Sequence, residues 1–317
     1  MGVVGMLSRF RTATTGFVRG WAWASLVANI LIIVTGAAVR LTDSGLGCPT
    51  WPRCSDASYV PHGELGMHGV IEFGNRLLTF VLVAIAVATW FAVRAWRPRR
   101  PRAVVVATLM ALGIPAQAVI GGITVLVDLN SWAVAVHLAV SIGLVSLSTV
   151  LLRQTYHPAA WYPPTVPAPL QLLGWVTYGA MWATVMIGTV VTGAGPHAGD
   201  PDTPRNGFDP AAVTQLHTDA VFLLLGLSVG LLLAYKAVGA KVAIRAAIVL
   251  LVVELGQGVI GFFQYFTDLP VVLVGLHMLG AGMLAAAATW AALESRTPAT
   301  APAPTYPAPS PTPSDAS

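Results

Sequence analysis

Of the chain's 317 residues, 56% are hydrophobic and only 9% charged, whereas about a quarter are charged in ordinary soluble domains. With a mean hydropathy of +0.73, that balance excludes a soluble globular fold. The net charge of +4 calls for no nucleic acid, because the basic residues sort by membrane side.

Apolar runs of about 20 residues, enough to cross roughly 30 Å of hydrocarbon, recur along the chain. A basic leader (1–20) precedes span 1 (21–40), which is too long for a signal peptide and has no small-residue cleavage site before Arg40, so it reads as a retained helix. The next loop carries the two cysteines, Cys48 and Cys54. Span 2 (69–93) is followed by the basic turn RAWRPRRPR, span 3 (103–126) and span 4 (131–152). A linker at 153–169, with five prolines, leads to spans 5 (170–192), 6 (212–235), 7 (242–265) and 8 (270–293). The tail, 294–317, is rich in Pro, Ala, Ser and Thr and is expected to be disordered.

Of the 17 Lys and Arg residues, all but Arg40, Arg53, Arg76 and Arg205 fall on one side when the N-terminus is placed inside. The positive-inside rule then puts both termini in the cytoplasm of a multi-pass cell-membrane protein, with the lipid bilayer, its inner leaflet anionic, as a partner.

Residues 117–137, QAVIGGITVLVDLNSWAVAVH, align without a gap on 257–277, QGVIGFFQYFTDLPVVLVGLH, with eight identities. A weaker echo links VTGA at 34–37 to VTGA at 191–194. The expected fold is therefore all-α: eight transmembrane helices in two parallel-repeat four-helix bundles, 21–152 and 170–293.

Ionisable groups within spans point by default to a functional site. His137, His217 and His277 lie about six, five and seven residues into spans 4, 6 and 8, roughly 8–10 Å below the outer helix ends. Two imidazoles facing across a bundle suit bis-histidine haem iron better than zinc, which needs further ligands. His217 and His277 form such a pair. In the N-terminal half, the place of His217 falls at residue 77 by the offset of 140, or at Asn75 after a two-residue loop difference. His68, Glu72 and Arg76 lie within a turn or two of it, with Glu72 on the face shared by His68 and Asn75. One half thus looks closed for electron transfer, the other open for reaction.

The segment VRLTDSGLGCPTWPRC, then IEFGNRL, QxVIGG…VH, a histidine in span 6 and QxVIG…LH in span 8, resembles haem A synthase, also called cytochrome aa3 controlling protein, over about residues 20–295. The resemblance implies oxidation of the C8 methyl of haem O to a formyl group, giving haem A for terminal oxidases. It implies a haem b cofactor on His217 and His277, haem O as substrate with His137 as axial ligand, and Glu72 as the essential carboxylate. Haem O synthase and the cytochrome oxidase assembly machinery are the expected partners, and a homo-oligomer is left open. The family's Glu-x-x-His in span 2 is here Glu72-Phe-Gly-Asn75, leaving either five-coordination by His137 or substitution by His68. A second cysteine pair, familiar in the family, is missing from 193–211.

Other roles stay open. Cys48 and Cys54 are expected to form a disulfide, as a staple or as a redox pair. Glu72 is a proton acceptor or the partner of Arg76; Arg76 pairs with it or meets a haem propionate, a task for which Arg40 is the weaker candidate. Glu254 in span 7 has no assigned role. Asp128 and Asp268 read as helix N-caps, while His62, His157 and His197 are loop residues without a ligand role. Competing readings are a two-haem cytochrome exchanging electrons with quinone, a transporter built from parallel repeats, and a thiol oxidoreductase using the loop cysteines.

Overall fold

The computed structural model describes residues 13–97, 100–156 and 166–295. Arg9 and Arg11 in the leader, Arg99, His157 with most of the linker, and Arg296 with the tail lie outside the described residues. Within them run α1 (Thr15–Leu41), α2 (Gly66–Ala95), α3 (Pro101–Leu126), α4 (Ser131–Tyr156), α5 (Ala168–Ala194), α6 (Pro210–Ala237), α7 (Lys241–Phe266) and α8 (Val271–Glu294). Each is long and apolar enough to cross a membrane. Beyond one isolated bridge between Ala13 and Trp96, the described residues hold no strand, and the fold is that of an all-α, eight-span membrane protein.

Local chemistry sets the helix ends. The Thr14 hydroxyl accepts from Phe17 N at 3.3 Å and begins α1. The Asp209 carboxylate accepts from Ala211 N and Ala212 N ahead of α6, whose first residue is Pro210; both are favoured starts. The N-cap expectation for Asp128 and Asp268 is corrected. Asp128 and Leu129 have φ of 52° and 55°, and Asp268 and Leu269 have 57° and 55°. The amides of Leu129 and Leu269 donate to Thr124 O and Gln264 O. These pairs therefore close α3 and α7 with left-handed turns, a conformation Asp tolerates better than most side chains. The cap at the start of α4 is Asn130, whose Oδ1 accepts from Trp132 N at 3.0 Å.

In each of the groups α1–α4 and α5–α8, successive helices touch and the last returns to the first. The groups meet where α8 packs on α1 and α4, and α4 on α5. Without a hydrophobic drive between helices in lipid, close approach depends on small residues. Accordingly α8 buries Gly280, Gly282, Ala285, Ala287, Ala288, Ala291 and Ala292, and a Cβ at Gly282 would stand only 3.2 Å from Ile30 of α1. Large apolar side chains such as Phe80 (71% exposed) and Leu112 (66%) point outward, as lipid contact requires.

Polar ties join the groups at three levels. At the end bearing the cysteine loop, Arg40 donates to His197 O (2.5 Å) and Thr192 O (3.0 Å), and Gly45 N to Gly199 O (2.8 Å). Deeper in the bundle, Ser146 of α4 meets Thr289 of α8 at 3.1 Å and Tyr178 of α5 at 3.2 Å. At the opposite end Arg153 pairs with the fully enclosed Glu294 at 2.9 Å.

Candidate functional site

His137, His217 and His277 lie six, seven and six residues past the starts of α4, α6 and α8, which sets all three roughly 9–10.5 Å below the loop end. In each the Nδ1 atom is enclosed and has no hydrogen-bond partner. Each ring also stands against a glycine of the preceding helix. A Cβ would lie 3.0 Å from His137 Cε1 at Gly121, 3.1 Å from His217 Cε1 at Gly188, and 3.7 Å from His277 Cε1 at Gly261. Two of these glycines are visible in the aligned QxVIG segments; Gly188 carries no such signal.

In α5–α8, His217 on α6 and His277 on α8 lie at the same depth from the loop end. Two turns deeper on α7 than Gly261, buried Glu254 accepts from Ser228 of α6 at 2.7 Å, while its second oxygen has no partner. Its hydrogen bond is thus within the bundle; its remaining role is unassigned.

The α1–α4 group is built differently. Gln117 Nε2 donates to His137 O at 2.9 Å and to Ser141 Oγ at 2.5 Å, fixing α3 to the helix that bears the histidine. Cys48 and Cys54 form a disulfide and are both fully buried. Buried Glu72 accepts from Cys48 N at 2.5 Å with one oxygen and pairs with Arg76 through the other. Arg76 donates further to Cys48 O (2.9 Å), Thr50 O (3.0 Å) and Arg53 O (3.1 Å). All five N–H groups of its guanidinium are therefore engaged, and of the two courses expected for Arg76 the structure shows the pairing with Glu72. Trp51, within the disulfide ring, lies on Gly122 of α3, where any Cβ would overlap its indole. The aligned position in α7 is Phe262. Neither Trp51 nor the five-donor clasp was anticipated, since carbonyl partners leave no trace in a sequence.

Asn75 lies three residues beyond Glu72 on α2, with its Oδ1 enclosed and unpartnered. His68 is exposed, two residues into α2, and its Nδ1 meets Ser44 Oγ at 3.0 Å. That places it well above the level of the three half-buried histidines. Arg40 is taken up by the carbonyls of Thr192 at the end of α5 and of His197 in the loop after it, and His197 Nε2 lies 3.0 Å from Leu269 O.

Among the described residues no three His, Cys, Asp or Glu side chains converge on a bare metal ion. Haem iron asks less of the protein, because the porphyrin supplies four of its ligands and one or two imidazoles complete the set. The three imidazoles, each with an unpartnered Nδ1, and their glycine cradles fit that group.

Fold and sites together define a polytopic helical membrane protein with imidazoles set at one depth in its bundles, a donor set suited to haem. Residues 19–68 match the family model described as "Cytochrome oxidase assembly protein". The chain is 32% identical over 149 residues to "Heme A synthase" of Geobacillus thermodenitrificans, covering 45% of this chain and 46% of that protein. It is 37% identical over 140 residues to "Heme A synthase" of Lysinibacillus sphaericus, 43% of each chain. With the same-named protein of Staphylococcus haemolyticus it shares 28% over 186 residues, 55% of this chain and 59% of the other. The matched stretches thus span about half the length of these relatives, and they support the haem A synthase family that the motifs resemble.

Proposed function

We propose that this protein is a haem A synthase, an enzyme that oxidises the C8 methyl of haem O to a formyl group. The observation that carries the reading is the asymmetry of the two groups: α5–α8 carries two imidazoles, His217 and His277, at one depth, and α1–α4 carries one, His137, together with the buried carboxylate of Glu72 on α2. His217 and His277 would hold haem b, which supplies one-electron transfer when bound. His137 would bind the substrate haem axially. Glu72 would accept a proton as the methyl carbon is oxidised, work suited to a desolvated carboxylate. Arg76 and the Cys48 amide keep that carboxylate oriented, so the disulfide loop serves as the staple that fixes it. The loop end would face outward, with both termini cytoplasmic in the cell membrane, and haem O synthase and cytochrome oxidase assembly factors as neighbours in the route.

The test is mass spectrometry of haem extracted after co-expression with a haem O source. Haem A, or haem O hydroxylated at the methyl, is expected. Recovery of unmodified haem O beside haem b would overturn the enzyme reading in favour of an electron-transferring two-haem cytochrome.

A further inference from the structure

Three of the four matching places hold histidines, and the fourth holds a residue that does not ligate haem iron. Asn75 nevertheless has a specific chemical character. Its Oδ1 is enclosed without a partner, and among the described residues its side chain forms no hydrogen bond. Native proteins seldom leave a buried amide oxygen unpaired, because the lost hydration is not recovered. Such an atom is best explained by a partner that is not part of the chain.

The neighbouring polar groups cannot take its place. Both oxygens of Glu72 have donors, and Arg76 has no N–H left over. Gln117 also has an enclosed, unpartnered oxygen, but its Nε2 bonds to His137 O and Ser141 Oγ fix its orientation. Asn75 alone in this cluster can present either an N–H or a carbonyl to an incoming group, since an amide offers two donors and two lone pairs.

We propose that Asn75 is the hydrogen-bonding partner of a small exogenous ligand held on the haem face opposite His137, either water donating to its Oδ1 or a diatomic molecule accepting from its Nδ2. This rests on the reading that His137 binds a haem. By the repeat offset with its two-residue loop difference, the corresponding place in α5–α8 is that of His217. A carboxamide is shorter than an imidazole, so at that place in α1–α4 it would leave room for the ligand and supply a polar contact to it.

Carbon monoxide is a suitable probe, because its stretching frequency rises when a hydrogen-bond donor beside it is removed. The full-length protein, co-expressed with a haem O source and purified with its haems, is reduced and exposed to CO, and the C–O band is recorded by infrared difference spectroscopy. Asn75→Leu and the smaller Asn75→Val should each shift the band to higher frequency. Asn75→His should abolish CO binding by closing the position. The low-spin spectrum of the His217–His277 haem, which these variants do not touch, reports folding for each. A band at the wild-type frequency in both Asn75→Leu and Asn75→Val refutes the role of Asn75. A CO band that survives unchanged in His137→Ala refutes instead the placement of the haem on His137, so the two failures are distinguishable.

Discussion

Gly188 and Gly261 make different demands of the residues they face, and replacing each by alanine separates a histidine held for ligation from one merely packed. Glycine to alanine within a helix ordinarily stabilises by about 0.5–1 kcal/mol. A new Cβ at Gly261 would meet His277 Cε1 at 3.7 Å, ordinary van der Waals contact; at Gly188 it would meet His217 Cε1 at 3.1 Å, short of the optimum of about 3.5–4.0 Å. Gly261→Ala should therefore retain the proposed haem b with an unchanged low-spin EPR signal. Gly188→Ala must push the His217 ring aside by roughly 0.5 Å. Overpacking of this kind costs about 1–3 kcal/mol. Set against the propensity gain, the net is up to about 2.5 kcal/mol, or up to roughly 70-fold faster loss of haem at equal association. The assay is transfer of haem to an excess of apomyoglobin, with EPR of the retained fraction. Equal retention and identical EPR signals in the two variants would refute the claim that the Gly188 cradle sets His217.

The remaining outcomes test other parts of the molecule. His217→Ala and His277→Ala should each lose the stable low-spin haem signal, whereas His137→Ala should keep it while haem A formation falls; the optical spectra and extracted haems decide. Replacing Cys48 and Cys54 by serine should destabilise the loop by up to about 2 kcal/mol on loop-closure grounds, seen as faster proteolysis there, with the low-spin haem spectrum intact. Arg153→Met removes the ion pair of Glu294, whose side chain is 0% exposed and keeps the hydrogen bond from Trp290 Nε1, and should cost up to about 3–5 kcal/mol. Adding Glu294→Gln should recover much of that loss in a detergent-denaturation midpoint; no recovery would mean that the charge of Glu294 is not the cause.

The eight helices were legible because hydrocarbon thickness imposes itself directly on composition. Their ends were less so: α1 begins at Thr15 and α4 runs on to Tyr156, beyond the apolar runs, because hydropathy marks the lipid slab and not where the hydrogen-bond ladder stops. The left-handed turns at Asp128 and Asp268 were misread because an aspartate ahead of a helix resembles a cap whether it closes one helix or opens the next. The histidines and Glu72 stood out as polar groups in apolar runs. The glycine facing His217, 29 positions earlier in the chain, did not, since nothing about an isolated glycine reveals which side chain lies over it. The clasp of Arg76 on three loop carbonyls was hidden for the same reason: every residue has a carbonyl.

The ties between the two helix groups carry a mechanical consequence. Arg40 and the Gly45–Gly199 bond hold them at one end, the Ser146 hydroxyl cluster in the interior, and the Arg153–Glu294 pair at the other. A rocking motion of one group against the other pivots about some level and must open at least one of the remaining two. Rocking of the kind a carrier uses is thus opposed by polar contacts at each level. Under the proposed function, these ties would hold the two haem positions at one separation and orientation, so electronic coupling between them would be set by construction and not by motion.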